Sequence, residues 1–344
     1  MKRALVLNVV GMTPALLPHA PNLRALAAQG GMRPLATLTP AVTTTVQSTF
    51  VTGLLPRDHG IVANGWYFRD LSEIWLWRQS NRLVRGEKLW ETAKRRDAAF
   101  TCAKMFWWYN MYASADWSVT PRPMYPADGR KLPDIYTHPP GLREELQGML
   151  GQFPLFRFWG PAADIVSSQW IARSALHVFE KYRPTLTLVY LPHLDYNLQR
   201  LGPDHPAIAD DVRRVDDACG ELIAAARKSG TEVIVLSEYG ITAVSQPVHI
   251  NRALREAGLL RVREELGREQ LDAGASDAFA VADHQIAHIY VARPDLVERV
   301  AALLRALPGV ERVLDEAGKR ELGLDHPRSG ELVAISRADA WFTY

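Results

Sequence analysis

Three consecutive threonines, Thr43-Thr44-Thr45, are the hydroxyl groups of this sequence whose setting best suits nucleophilic chemistry. They follow a segment, 34–39, that is predicted as a strand, and they open an apolar stretch that ends at Gly53, which predicts a helix beginning at Thr43. Free N–H groups and the dipole at the start of a helix favour an anion such as phosphate. A lone threonine there is more often a helix cap, so a nucleophile at Thr43 depends on its neighbours.

Several polar side chains that can ligate a metal stand near the ends of predicted strands. Ligands bind beyond the carboxyl ends of parallel strands, so we expect these side chains and Thr43 to meet at one sheet edge. Two carboxylates, an amide and an imidazole beside a hydroxyl can hold one or two divalent metal ions and a phosphoryl group. Each residue alone is more often a loop, cap or packing residue. These residues, each given with its predicted strand in parentheses, are Asn8 (3–10), Asp195 (185–192), Glu238 (231–237) and His284 (284–292).

The elements that must position these residues alternate between strands and helices along most of the chain. The strand 3–10 is apolar on both faces, which is typical of a parallel sheet covered by helices. Helices are predicted at 21–30, 164–182 and 206–228. The predicted fold class is therefore α/β, a doubly wound, mostly parallel sheet with helices on both faces, in a single domain over residues 1–344.

Aromatic residues are concentrated in one part of the chain. Nine of the ten tryptophans lie in residues 66–170, which favours an aromatic-rich cap insertion at about 66–160 over plain packing of irregular loops. Trp107 and Trp108 are candidates for stacking on the organic part of a substrate. Lys104 is a candidate for binding a substrate phosphate, and the alternative is an exposed loop lysine.

The composition narrows the class of partner. The 344 residues are 47% apolar and 23% charged with a net charge of +2, so a nucleic-acid partner is not expected. No apolar run reaches the roughly 18 residues that a membrane span needs, and no signal peptide is expected. Cys102 and Cys219 are far apart and predicted to be reduced, buried thiols. A cytoplasmic protein is the expectation.

The segment PAVTTTVQSTFVTGLLPRDHGIVANGWYF (40–68) resembles the nucleophile segment of the alkaline phosphatase superfamily, in its type I phosphodiesterase/nucleotide pyrophosphatase branch. Further matches are SEYG (237–240), ADHQ (282–285) and HPRSGELV (326–333). Much of the chain is also similar to an uncharacterised bacterial subfamily of that branch. The resemblance implies the alkaline-phosphatase-like fold and metal-dependent hydrolysis of a phosphodiester or phosphomonoester by a threonine nucleophile.

The resemblance assigns roles to five residues. Thr43 matches the nucleophile, and Asp195 and His284 match ligands of the second metal ion. Glu238 stands where the family has an aspartate at the first metal ion, and Tyr239 stands where the family has the histidine that follows it. Tyr239 is therefore considered a substrate-binding candidate.

Other ligand positions depart from the family pattern. Val10 stands where a metal-binding aspartate is expected, and Asn8 is the nearest polar residue on that strand. Gln199 replaces a histidine, and Val46 replaces an asparagine that assists the phosphate. The resemblance implies one or two divalent metal ions, which are Zn, Mg or Mn. These departures disfavour a zinc pair, and they favour a single metal ion or an ion such as Mg or Mn held by oxygen ligands.

Two hypotheses follow from these residues. The first is a phosphoester hydrolase whose partner is a small phosphoester with an organic group, without a nucleic-acid or membrane partner. The alternative is a metabolite-binding pseudoenzyme with a degenerate metal site. The altered positions favour the alternative, and retention of Thr43, Asp195, Glu238 and His284 favours the hydrolase.

Overall fold

The computed structural model describes residues 2–343. This part of the chain divides into two compact units. Unit 1 contains the residues up to Thr37, Gln79–Arg82 and Glu87–Thr242, and unit 2 contains Leu38–Arg78, Leu83–Gly86 and the residues from Ala243 onward.

The strands are short and fall in both units. In chain order they are β1 (Ala4–Val9), β2 (Gly65–Phe68), β3 (Glu73–Leu76), β4 (Cys102–Met105), β5 (Trp117–Pro121), β6 (Ile135–His138), β7 (Leu186–Leu191), β8 (Glu232–Leu236), β9 (Gln246–Val248), β10 (Val262–Glu265), β11 (Arg268–Leu271), β12 (Ala278–Asp283), β13 (Ile286–Val291), β14 (Val310–Leu314), β15 (Leu332–Ser336) and β16 (Ala340–Phe342).

The helices include two long ones in unit 1. They are α1 (Pro21–Gly30), α2 (Thr43–Thr52), α3 (Pro56–His59), α4 (Leu89–Arg96), α5 (Leu142–Leu150), α6 (Ile165–Lys181), α7 (His193–Leu201), α8 (Ile208–Lys228), α9 (Ile250–Glu256), α10 (Val297–Arg305) and α11 (Glu316–Glu321). Short 3₁₀ turns lie at Leu17–His19, Asn81–Leu83, Leu155–Arg157 and Pro294–Leu296.

Unit 1 is built on a six-stranded sheet in the order β6-β5-β4-β7-β1-β8. Its neighbouring strands are parallel except β5 and β6, and helices such as α6 and α8 pack on it. The predicted mostly parallel α/β sheet is confirmed. Strand β7 is buried along its whole length, because side chains on both of its faces are apolar. Since β1 lies between β7 and β8, the carboxyl ends of these three strands are neighbours.

Unit 2 contains a separate antiparallel sheet in the order β12-β13-β15-β14. Strands β12 and β13 form a hairpin whose two connecting residues are His284 and Gln285. His284 has a φ of 62°, a backbone conformation that such tight turns require. The predicted strand beside His284 is therefore not part of the parallel sheet, because β13 pairs antiparallel with β12 and β15.

The segment before the threonines is irregular. Residues 31–39 contain neither helix nor strand, so the predicted strand at 34–39 is wrong. Pro34 and Pro40 lack the N–H group that a strand donates to its neighbour, which disfavours pairing here. The predicted helix beginning at Thr43 is confirmed.

The aromatic-rich segment contributes a buried cluster and part of the unit 1 sheet. Phe106, Phe153, Phe158 and Trp170 pack together, with ring centroids 4.8 Å apart for Phe106 and Phe153. Strands β4, β5 and β6 come from the same segment. These four aromatic side chains thus form core in unit 1.

Two further expectations concern residues outside the site. Cys102 and Cys219 are buried and unpaired with each other, as predicted. Across residues 2–343, no helix combines the length and the apolar character needed to cross a lipid bilayer.

Candidate active site

The first polar cluster lies in unit 1, at the carboxyl ends of β1 and β8. Asn8 is the penultimate residue of β1 and is completely buried, and Glu238 follows β8 by two residues. The Asn8 Nδ2 group donates a hydrogen bond of 2.5 Å to Glu238 Oε1. The parallel register places these residues together, because Asn8 lies opposite Leu236 in the neighbouring strand.

The second carboxylate of this first polar cluster belongs to Asp195, which lies in the first turn of α7. Its Oδ1 accepts a hydrogen bond of 2.9 Å from the Tyr239 hydroxyl, and its Oδ2 accepts one of 2.8 Å from Gln199 Nε2. Gln199 reaches Asp195 because residues four apart on a helix lie on the same face. The structure therefore brings together Asn8, Asp195, Glu238 and Tyr239 within unit 1, as the sequence predicted.

The residues of unit 1 do not fit the zinc pair that the family resemblance implies. Zinc in proteins prefers histidine and cysteine ligands, supplemented by carboxylates. Within the part of the chain that the structure describes, no three His, Cys, Asp or Glu side chains are grouped so as to hold a metal ion. His193 lies near Asp195 in sequence, but its Nε2 is 3.2 Å from Asp211 Oδ1.

The second polar cluster lies in unit 2, at the amino terminus of α2. Thr43 is the first residue of this helix and is 2% exposed. The Thr44 N–H group donates to Asn64 Oδ1 at 3.0 Å, and the Thr44 hydroxyl donates to the Ala63 carbonyl at 2.9 Å. The helix start that carries Thr43 is therefore anchored to the loop that contains Asn64.

Asp283, at the end of β12, holds Asn64 in turn. Its Oδ2 accepts the Asn64 N–H group at 2.8 Å, and its Oδ1 accepts Asn64 Nδ2 at 3.2 Å. His284 is the next residue, and its Nε2 lies 3.7 Å from Asp283 Oδ1. Hydrogen bonds thus connect the α2 amino terminus to the Asp283-His284 pair within unit 2.

No role was predicted from the sequence for Asn64 or for Asp283, which lies within the ADHQ segment. One local signal was available, because Asn64 precedes Gly65 at a tight approach. A Cβ atom on Gly65 would lie 2.6 Å from the Trp75 carbonyl oxygen, so no larger residue fits there. A backbone held this closely indicates that the Asn64 side chain has a defined place.

Three predicted substrate-binding residues are buried in unit 1. Lys104 is 1% exposed, and its Nζ donates to the Tyr109 carbonyl at 3.1 Å and lies 4.9 Å from the Trp90 ring. Burial lowers the pKa of Lys104 to about 7. Trp107 and Trp108 are 1% and 3% exposed. Enclosure in the core disfavours substrate binding by these three residues, which stays a prediction, and Lys104 is not an exposed loop lysine.

Comparisons with known proteins agree with this architecture. A model of the family described as "Type I phosphodiesterase / nucleotide pyrophosphatase" matches residues 4–344. An uncharacterised pyrophosphatase/phosphodiesterase of Schizosaccharomyces pombe is 28% identical over 236 residues, which are 65% of this chain and 41% of the relative. The chain thus spans about two fifths of the length of this curated relative.

Two solved structures share the fold. Phosphonoacetate hydrolase from Sinorhizobium meliloti 1021, in complex with phosphonoacetate, gives a TM-score of 0.71 at 17% identity, covering 99% of this chain and 82% of that one. Murine ectonucleotide pyrophosphatase/phosphodiesterase 5, as an inactive variant in complex with AMP, gives 0.68 at 18% identity, covering 99% and 80%. At these identities the likeness concerns the fold.

Proposed function

Because the chain belongs to the type I phosphodiesterase/nucleotide pyrophosphatase family, we propose that it hydrolyses phosphoesters with Thr43 as the nucleophile. The family resemblance drawn from segment 40–68 is confirmed by the match over residues 4–344, and with it the classification among phosphoester hydrolases. The observation that carries the proposal for Thr43 is its place as the first residue of α2, a ten-residue helix whose start is anchored through Asn64.

The proposed reaction has two displacements at phosphorus. The Thr43 hydroxyl oxygen forms a bond to phosphorus while the bond to the organic group breaks, and that group departs as an alcohol with the threonine proton. The oxygen of a water molecule then bonds to phosphorus while the bond from phosphorus to the Thr43 oxygen breaks. The phosphate product departs, and a proton from the water restores the Thr43 hydroxyl. Such a covalent intermediate divides one difficult step into two easier ones.

The residues of unit 2 supply position and charge for this chemistry. The positive end of the α2 dipole favours the negative charge of a phosphoryl group beside Thr43. Asn64 and Asp283 hold the helix start in place. A fixed nucleophile makes the attack effectively intramolecular once the substrate is bound.

The substrate class in this proposal is a small phosphoester with an organic group. The S. meliloti enzyme holds phosphonoacetate and the murine protein holds AMP, and both ligands are small molecules with a phosphorus oxyanion. These similarities support small phosphorus-containing anions as the class of substrate, and they do not select one compound within it. Dependence on a divalent metal ion stays a prediction, and adding Mg²⁺, Mn²⁺ or Zn²⁺ to metal-stripped protein during the hydrolysis assay tests it.

The test uses p-nitrophenyl phosphate and bis-p-nitrophenyl phosphate. We expect Thr43→Ala to lower the rate by on the order of 10³-fold or more, as loss of a covalent nucleophile does. Thr43→Ser keeps a hydroxyl and retains measurable activity. Thr52→Ala, at the other end of α2, is the matched control and leaves the rate unchanged. Equal rates for Thr43→Ala and the control would refute the threonine mechanism.

One observation favours a second candidate, a metabolite-binding protein without hydrolysis. Asp195 accepts hydrogen bonds from Gln199 and Tyr239, which stand where the family has metal-binding histidines. If no tested metal ion supports hydrolysis while AMP binds in calorimetry, this candidate replaces the hydrolase.

A further inference from the structure

Three polar residues of unit 1 that stand at or near altered ligand positions share one chemical property. Asn8, Gln199 and Tyr239 each present an N–H or O–H donor to a carboxylate at a distance of 2.9 Å or less. Each of the three hydrogen bonds ends on Asp195 or Glu238. The three side chains therefore act together, because they supply both Asp195 and Glu238 with hydrogen-bond donors.

At Asp195, hydrogen bonds engage both carboxylate oxygens. The Tyr239 hydroxyl binds one oxygen and the Gln199 amide binds the other. A cation that approaches either oxygen along these directions meets the positive end of an O–H or N–H dipole. Zinc that binds Asp195 along these directions must displace a charge-assisted hydrogen bond and turn its donor away.

At Glu238 the donor is the amide of Asn8, which is fully buried in β1. The short contact of 2.5 Å places the Asn8 NH₂ group directly against this carboxylate. A neutral amide nitrogen that carries its protons does not coordinate zinc, so this contact holds Glu238 without a metal ion.

The histidine nearest to Asp195 in the sequence is engaged with a different carboxylate. His193 lies two residues before Asp195, and imidazole is a ligand that zinc prefers. Its ring is directed to Asp211, on α8, with 3.2 Å between Nε2 and Oδ1. Releasing His193 would deprive Asp211, which is 6% exposed, of this partner.

We propose that unit 1 binds no zinc. Instead of metal ions, hydrogen-bond donors from Asn8, Gln199 and Tyr239 hold the carboxylates of Asp195 and Glu238. The inference rests on the proposed function only for the expectation that a hydrolase of this family would use metal ions. It concerns binding, so its outcome is measured without reference to turnover.

The test compares zinc content and zinc binding in three full-length proteins. They are the native chain, the double variant Gln199→His/Tyr239→His, and the control Gln152→His/Tyr125→His. The first variant places two imidazoles beside Asp195. The control adds the same two imidazoles at exposed positions of unit 1.

After dialysis with zinc and removal of the excess by a chelator, metal analysis should find no zinc in the native chain or in the control. The Gln199→His/Tyr239→His variant should gain about one zinc ion per chain, because two histidines and an aspartate form a three-ligand site. X-ray absorption should then show nitrogen ligands at about 2.0 Å.

Stoichiometric zinc in the native chain would overturn the proposal, and so would a double variant that folds, by circular dichroism, but takes up no zinc. Failure of the proposed function gives a different pattern. In that case p-nitrophenyl ester hydrolysis is absent, or indifferent to Thr43→Ala, while the three zinc measurements come out as expected.

Discussion

The contact between Asp283 and Asn64 allows a quantitative test of how unit 2 holds Thr43, the proposed nucleophile. The change is Asp283→Asn, which keeps the shape of the side chain and removes its charge. Asp283 is 4% exposed and accepts two hydrogen bonds, from Asn64 N–H at 2.8 Å and from Asn64 Nδ2 at 3.2 Å. An asparagine has one acceptor oxygen, so its own NH₂ group must face one of these two donors.

The expected loss follows from these contacts. A buried hydrogen bond to a charged group contributes about 1.5–3 kcal/mol, and an unsatisfied buried donor is similarly unfavourable. We therefore expect Asp283→Asn to lower the free energy of unfolding by about 2–3 kcal/mol. Because Asn64 also accepts the Thr44 N–H group, the helix start should loosen and the rate of hydrolysis should fall by roughly 10–100-fold.

The assay is urea unfolding combined with hydrogen exchange at the Thr44 amide. Asp339→Asn is the matched control in unit 2, because Asp339 is 57% exposed and lies 3.6 Å from Arg337 Nε. Such a surface pair contributes about 0–1 kcal/mol. Equal unfolding free energies for the two variants would refute the reasoning. Unchanged Thr44 exchange in a destabilised Asp283→Asn protein would refute the link to the helix start.

Three further predictions follow from burial. His288 is a buried neutral imidazole with two backbone hydrogen bonds, and burial lowers its pKa from 6.5 to about 4. The unfolded chain then binds the extra proton, so His288 should contribute a loss of stability of about 1.4 kcal/mol per pH unit as pH drops from 6.5 towards 4, and His288→Gln should remove this contribution in urea titrations. Burial lowers the pKa of Lys104 from 10.5 to about 7, so stability should rise from pH 7 to 10.5 in the native chain. Lys104→Met should remove this rise and leave ester hydrolysis unchanged. Burial raises the pKa of the Cys102 thiol to about 12 and that of Cys219 further, so neither should react with a thiol reagent until urea unfolds the chain.

Features encoded by local pattern were predictable from the sequence. The helix beginning at Thr43, the buried strands β1 and β7, and the polar residues after β7 and β8 follow from apolar periodicity and from residues that begin or end elements. The convergence of Asn8, Asp195 and Glu238 was also predictable, because parallel strands end at the same edge of their sheet.

Features that depend on distant partners were not predictable in this way. The sequence places ADHQ beside an apolar strand, and only pairing with β12 shows that His284 occupies a hairpin turn. Lys104 has the sequence context of a loop or strand end, and only the packing of Trp90 and the backbone around Tyr109 show that its ammonium group is enclosed.

The sequence by itself determined the family, the nucleophile candidate and the ligand positions that depart from the family pattern. The tertiary structure decided what those departures do. Asp283 and Asn64 are 219 residues apart in the sequence. Their hydrogen bonds form only when the β12–β13 hairpin packs against the loop between α3 and β2. Likewise, Tyr239 becomes a donor to Asp195, 44 residues away, because β8 and β7 flank β1 in one sheet. A substitution reveals the loss of a ligand, whereas its new hydrogen-bond partner is set by which strands become neighbours on folding.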